Sequence, residues 1–164
     1  MTSWSLGHPD EGYAEWLWSE HEGLGTTQEV FDSFYDGIPA DDPFWQTIIG
    51  DPGPDLLFDI AVYWRGAMTL HQLRLEVGDR DFFRILRTWA QSREGDNVKT
   101  SEFIRLAEKI SREQLDDLFE TWLFTPGKPA LAPATAARSV AAAQAGSRSD
   151  DVLRLARRFH GKVR

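Results

Sequence analysis

Four histidines are the first candidates for chemistry in this chain of 164 residues: His8, His21, His71 and His160. A helical zinc site of the peptidase kind needs two histidines four residues apart, with a glutamate between them to activate the bound water. No two of these histidines have that spacing, although His21-Glu22-Gly23-Leu24-Gly25 begins like the motif. The chain has no cysteine, so any metal would need histidine and carboxylate ligands.

Tyr63 and Glu11 are two further residues whose side chains are suited to chemistry. A neutral phenol aimed at developing negative charge can lower a reaction barrier by a few kcal/mol. By its spacing alone, however, Tyr63 is typical of a helix residue with its ring in the core and its hydroxyl at the edge. Glu11 is typical of an acidic residue at a helix start, where a carboxylate interacts favourably with the helix dipole.

Two polar residues share the segment of Tyr63. His71 lies eight residues further on, about 12 Å along a helix axis, which is too far for a proton partner of Tyr63. We therefore predict that His71 is a hydrogen-bonded core residue. Arg65 has two open interpretations, a contact with a substrate terminus or a salt bridge with an acidic residue of a helix.

Apolar residues recur at helical spacing in almost every segment, and this pattern predicts an all-α, irregular multi-helix domain. A first helix is expected from about Glu11 to His21, closed by Gly23. The longest is expected at about residues 56–77 and ends at Gly78, after which Asp79 can cap the next helix. Another helix starts at Thr100.

Capping boxes at residues 26–29 and 111–114 predict two further helix starts. Four prolines, interleaved with Asp and Gly, predict that residues 36–55 form a loop-rich connector. Among the tryptophans, helical spacing places Trp16, Trp64, Trp89 and Trp122 in the core. Trp4, Trp18 and Trp45 are less constrained, and one of them can line an exposed groove.

Charge divides the chain into an acidic body and a basic tail. Residues 1–131 hold 11 of the 18 Lys and Arg and 24 of the 26 Asp and Glu. Such a body repels phosphate backbones, so nucleic-acid binding is disfavoured. Its composition, 41% hydrophobic and 12% aromatic, predicts one globular unit. No apolar run is long enough for a transmembrane segment, and we expect a cytoplasmic protein.

The tail itself divides into two parts. Residues 132–148, rich in Ala, Pro, Ser and Gln, are expected to form a disordered linker. Residues 149–164 predict a basic amphipathic helix that can dock on the acidic body or on a partner. Its apolar stripe consists of Val152, Leu155, Ala156 and Phe159.

The segment 62–74, Val-Tyr-Trp-Arg-Gly-Ala-Met-Thr-Leu-His-Gln-Leu-Arg, resembles the helix that carries the transition-state tyrosine of alanyl aminopeptidase-type (gluzincin) zinc metallopeptidases. Residues 13–18 and 57–59 resemble the corresponding parts of that family, as do later segments up to residue 131. The resemblance implies the C-terminal part of the catalytic domain only, similar to the helical C-terminal subdomain of thermolysin-like domains. It also implies zinc as cofactor, Tyr63 as the donor to the oxyanion, and Glu11 of Asp10-Glu11-Gly12-Tyr13 as the third zinc ligand.

The family's paired histidines lie further upstream of Glu11 than the ten residues that precede it here. One carboxylate does not retain zinc, so we expect the chain to be inactive alone. A complementary N-terminal metallopeptidase half is then the expected partner, and a peptide the substrate only of the completed enzyme. The alternatives are a non-catalytic helical protein-interaction module and a decayed gene fragment.

Overall fold

The computed structural model describes residues 7–92 and 99–131, with side chains from Gly12 onward except that of Ser92. Helices and turns make up these ranges, and no strand occurs within them, which confirms the all-α prediction. The helices are α1 Gly7–His21, α2 Thr27–Gly37, α3 Ile60–Ser92, α4 Thr100–Ser111 and α5 Asp116–Phe119. The predicted linker 132–148 and C-terminal helix 149–164 lie outside the described residues.

Helix α1 begins at Gly7, one turn before the predicted start, and ends at His21. Gly23 adopts the left-handed conformation, with φ of 68°. The N–H of Leu24 donates to the carbonyl of Ser19 over 2.9 Å, and that of Gly23 to Glu20 over 3.2 Å. This pair of bonds is a Schellman motif, so Gly23 closes the helix as expected.

Helix α2 begins with the predicted capping box. The Thr26 hydroxyl accepts from the N–H of Glu29 over 3.2 Å, and the Glu29 carboxylate accepts from the N–H of Thr26 over 2.7 Å. At the other end, the Lys128 ammonium donates to the carbonyls of Tyr35 and Ile38. A cation there satisfies carbonyls that lack partners within the helix.

The connector of residues 38–59 holds two 3-10 turns, Pro43–Gln46 and Pro54–Leu56, and no α-helix, as predicted. Helix α3 starts at Ile60 rather than at residue 56. The Asp59 carboxylate accepts from the N–H of Ala61 over 2.8 Å, which is the capping geometry that fixes this start. Gly78, with φ of 77° and ψ of 162°, interrupts α3 at the predicted position.

Helix α4 starts at Thr100 as predicted, but the capping box expected at residues 111–114 is wrong. Ser111 ends α4, and its hydroxyl donates to the carbonyl of Ala107 and accepts from the N–H of Glu113. The next helix, α5, starts only at Asp116 and continues into a π-helical turn, Glu120–Phe124. Glu108 binds the N–H of Leu115 over 3.0 Å at this start.

Helix α3 is the centre of the fold. It contacts the helices α1, α2, α4 and α5, the first 3-10 turn and the π-helical turn. The four tryptophans predicted for the core, Trp16, Trp64, Trp89 and Trp122, are buried. Trp45 is fully buried as well, so the prediction that it is less constrained is wrong. The described helices include none long and apolar enough to cross a membrane.

Candidate functional site

Helices α1 and α3 cross with their chains running in the same direction. Gly12 lies against Tyr63, Tyr13 against His71, and Glu20 against Arg74, so the contacts advance together along both helices. The N-terminal ends of α1 and α3 therefore lie at the same end of the crossing. Helix N-termini carry partial positive charge, and this end of the molecule favours negative charge.

Gly12 lies at a close backbone contact in this crossing. A Cβ at position 12 would lie 2.9 Å from the carbonyl oxygen of Tyr63 and 3.3 Å from the Cβ of Ala67. No larger side chain fits there without a shift of backbone, so glycine allows the two helices to touch. The backbone of Glu11, the preceding residue, is thereby brought beside the first turn of α3.

The two site residues predicted from the sequence belong to the two helices that meet here. Tyr63 is half-buried and lies on the first turn of α3. Glu11 lies in α1, but its side chain is outside the described residues. Phe58, 72% exposed, immediately precedes α3 and its cap.

His71 lies deeper in the same crossing and is buried, which confirms the prediction of a hydrogen-bonded core histidine. Its Nε2 lies 3.1 Å from Oε1 of Gln28, an acceptor, so this contact assigns the proton to Nε2. Nδ1 is then left to accept from the Tyr13 hydroxyl at 3.5 Å. The Phe31 ring stacks on the imidazole with centroids 5.1 Å apart. Both nitrogens of His71 thus have partners inside the fold.

Arg74 is another polar residue at the crossing of α1 and α3, and it lies near the surface. Its guanidinium pairs with Asp79 over 2.7 Å and with Glu20 over 3.2 Å, and it also donates to the Thr27 hydroxyl. Hydrogen bonding to Asp79 raises the pKa of Arg74, and Arg74 lowers the pKa of Asp79. Burial raises the pKa of the Tyr13 hydroxyl, an effect that nearby Arg74 offsets only in part.

Arg65 matches neither interpretation proposed from the sequence. It is fully buried and donates to four backbone carbonyls, those of Trp45, Thr47, Thr121 and Thr125, over 2.6 to 3.3 Å. Burial lowers the pKa of Arg65 to about 10, so the guanidinium remains charged at neutral pH. Its role is to join the connector and the π-helical turn to α3, because these carbonyls at turn ends need donors.

The described side chains do not fit a zinc site. Among them, no three His, Asp or Glu side chains lie close enough together to hold a metal. His71 is bonded inside the core, and His21 is exposed at the opposite end of α1 from Glu11, about 15 Å along the axis. A metal ligand set would therefore need groups beyond these side chains.

Sequence reasoning missed the role of Gly12 and the partners of Arg65 and His71. Gly12 follows Glu11 within the Glu-Gly-aromatic motif, and that motif is the one signal that could have pointed to it. The partners of Arg65 lie 18 to 60 residues away, and no local pattern indicates them.

Comparisons with known proteins identify the family to which the sequence is similar. The model of the Peptidase family M1 domain matches residues 1–122, which confirms the resemblance stated for the tyrosine helix. "Probable aminopeptidase 2" of Sulfurisphaera tokodaii is 24% identical over 122 residues, 74% of this chain and 15% of the relative. "Aminopeptidase M1-C" of Oryza sativa subsp. japonica is 29% identical over 77 residues, 47% of this chain and 9% of the relative. The chain thus spans a small part of these curated relatives, and no solved structure matches it.

Proposed function

Because this chain belongs to Peptidase family M1, we propose that it forms the helical part of a metallopeptidase catalytic domain in which Tyr63 stabilises the tetrahedral intermediate. The substrate is a peptide that is cleaved at its N-terminal peptide bond. The hydroxyl of Tyr63 donates to the developing oxyanion, and a single donor of this kind is worth on the order of 3 kcal/mol.

The observation that carries this proposal is the close crossing of α1 and α3 at Gly12. It joins the turn of Glu11 to the turn of Tyr63 without an intervening side chain. Catalytic groups act only when their supports are rigid, and a helix pair in backbone contact is such a support. Helix N-termini at this end of the crossing favour the negative charge of the intermediate.

Zinc is the cofactor that the family implies, with Glu11 as the third ligand. The remaining ligands would come from a complementary segment with the His-Glu-x-x-His motif, since the described side chains do not supply them. This chain alone is therefore inactive in our proposal. Its own contributions are the Tyr63 hydroxyl and the helices that hold it.

Complementation tests the proposal. The full chain is mixed with candidate polypeptides that carry the His-Glu-x-x-His motif, and release of a chromogenic aminoacyl amide is measured. We expect turnover above that of either component alone, and no gain with any candidate would reject the proposal.

Two matched variants then test Tyr63 itself in the active mixture. Tyr63→Phe is expected to lower kcat about 100-fold or more, with a small change in KM, because a donor used in the transition state is lost. Tyr35→Phe also removes one hydroxyl, but that hydroxyl donates to the carbonyl of Pro129, and we expect unchanged kcat. Equal kcat for Tyr63→Phe and the parent would contradict the catalytic role.

Zinc titration of the isolated chain tests whether the chain lacks a metal site of its own, which is why we propose that it is inactive alone. We expect no stoichiometric binding at micromolar metal, because an isolated carboxylate does not make a zinc site. Stoichiometric binding at that concentration would instead indicate a complete site in this chain.

A second candidate function is a non-catalytic helical interaction module. The observation that favours it is the exposure of Trp18 and Phe58, 63% and 72%, on a domain with many buried aromatics. Under this alternative the chain captures a protein partner, and Tyr63→Phe leaves that binding unchanged in a pull-down with the purified partner.

A further inference from the structure

Helix α1 has an apolar stripe on the side that faces away from the core. Ala14, Trp18 and His21 are exposed at helical spacing, and the Trp18 and His21 rings lie 5.7 Å apart. The Schellman motif folds Leu24, 42% exposed, back toward the same helix end. We call Ala14, Trp18, His21 and Leu24 the outer stripe. Neighbouring exposed apolar side chains of this kind can be covered by a partner segment of matching chemistry.

The charge around the outer stripe limits what can cover it. Residues 1–64 contain 13 Asp and Glu and no Lys or Arg. Glu15 on α1 and Glu22 just after its end are exposed, and Glu20 pairs with Arg74. An occupant must therefore bring apolar groups together with positive charge. A second copy of the chain would bring the same acidic surface, and like charges would repel.

The chain carries a segment with the required chemistry at its C-terminus. Residues 149–164 contain five Lys and Arg against two Asp. Their apolar residues Val152, Leu155 and Phe159 recur at helical spacing, beside Arg154 and the Arg157-Arg158 pair. The pattern complements an acidic helix with an apolar stripe.

The connection to this segment has the length to reach the stripe. Tyr35, near the end of α2, binds the carbonyl of Pro129, so the described chain ends close to that end of α2. Helix α2 starts three residues after Leu24, and 11 residues of helix separate its two ends by about 16 Å. Residues 132–148 are 17 residues, and a chain of that length extends to at most about 56–61 Å. The connection is therefore long enough to reach the stripe within one molecule.

We propose that residues 149–164 dock on the outer stripe of α1 in the same molecule, with Leu155 and Phe159 against Trp18 and Leu24 and the arginines facing the acidic surface. This assignment is independent of the proposed enzymatic function.

Spin-label distances in the full chain test the docking. The chain has no cysteine, so Glu22→Cys and Gly161→Cys introduce two unique labelling sites. We expect one narrow distance distribution for the labelled chain. Trp18→Lys, which places a positive charge in the stripe, is expected to remove at least half of the narrow component, and Phe159→Asp is expected to do the same.

Phe58→Lys is the matched control, since Phe58 is an aromatic residue outside the stripe with an exposure of 72%, against 63% for Trp18. It is expected to leave the distribution unchanged, and circular dichroism is expected to show the same helix content in every variant. A broad distribution in the parent, or a narrow one that Trp18→Lys leaves intact, would overturn the proposal. So would loss of the narrow component upon dilution with unlabelled chain, because the contact would then join two copies.

Discussion

Two arginines nine residues apart on α3 have opposite electrostatic surroundings. Arg65 is fully buried and bonded to backbone carbonyls, and burial lowers its pKa to about 10. Arg74 lies near the surface between Asp79 and Glu20, and its pKa is raised. The same type of side chain thus joins loops to the core near the start of α3 and pairs with carboxylates near its middle.

The difference shows which contacts attach the neighbouring elements to the two sides of α3. On the side of Arg65, one guanidinium donates to four backbone carbonyls, of which that of Trp45 also accepts from the N–H of Gly127. On the side of α1, the contact depends on the absence of a side chain at Gly12. The side chains of His71 and Arg74 add hydrogen bonds near this close contact of α1 and α3.

The largest effect is expected at Arg65. Arg65→Ala removes the donors of several buried carbonyls and should lower the free energy of unfolding by about 3–5 kcal/mol, measured by urea denaturation. Arg65→Lys keeps the charge but not the planar fork, so we expect about half that loss. A loss below about 1 kcal/mol for Arg65→Ala would show that the loops do not depend on this cation.

A smaller effect is expected at the crossing of α1 and α3. Gly12→Ala places a Cβ 2.9 Å from the carbonyl of Tyr63 and should destabilise the fold by about 1–3 kcal/mol, as in other overpacked contacts. Gly37→Ala is the matched control, because a Cβ there meets no atom within 4 Å. Equal thermal stabilities of the two variants would contradict the close contact.

The smallest effect is expected at the exposed pair of Arg74 and Asp79. Arg74 lowers the pKa of Asp79 in the folded state, so the stabilisation is present above the unfolded pKa and is lost as pH falls through the folded pKa. Asp79→Asn should cost less than about 1 kcal/mol at neutral pH, because the pair is near the surface. Urea unfolding from pH 7 down to acid should show the difference from the parent shrinking, whereas a constant difference would contradict the ion pair. The exposed Glu113→Gln serves as the control.

Local sequence signals predicted which helices form better than they predicted where each helix begins and ends. The capping box at Thr26 and the stops at Gly23 and Gly78 were confirmed, because these residues act on backbone groups within a few positions. The start of α3 was placed too early, since Asp59 caps the helix after the proline-rich connector. Ser111 carried the pattern of a capping box, but its hydroxyl is bonded within α4 instead.

The resemblance to the family pointed to Tyr63 and Glu11, but not to what surrounds them. The catalytic role of Tyr63 and the metal-ligand role of Glu11 both remain predictions. Trp45 was predicted to be less constrained than the helical tryptophans, although it is fully buried, against the ring of Phe44 and near the Arg65 guanidinium. Its burial comes from contacts distant in the chain, which periodicity does not report.

By itself, the sequence determined the helical class, the family and the division of charge between an acidic body and a basic tail. These properties depend on composition and on spacings of a few residues. Only the tertiary structure decided that α1 and α3 touch at Gly12, that His71 is bonded to Gln28, and that Arg65 serves loop carbonyls. Each is a contact between distant segments, set by steric fit and by the need of buried polar groups for partners.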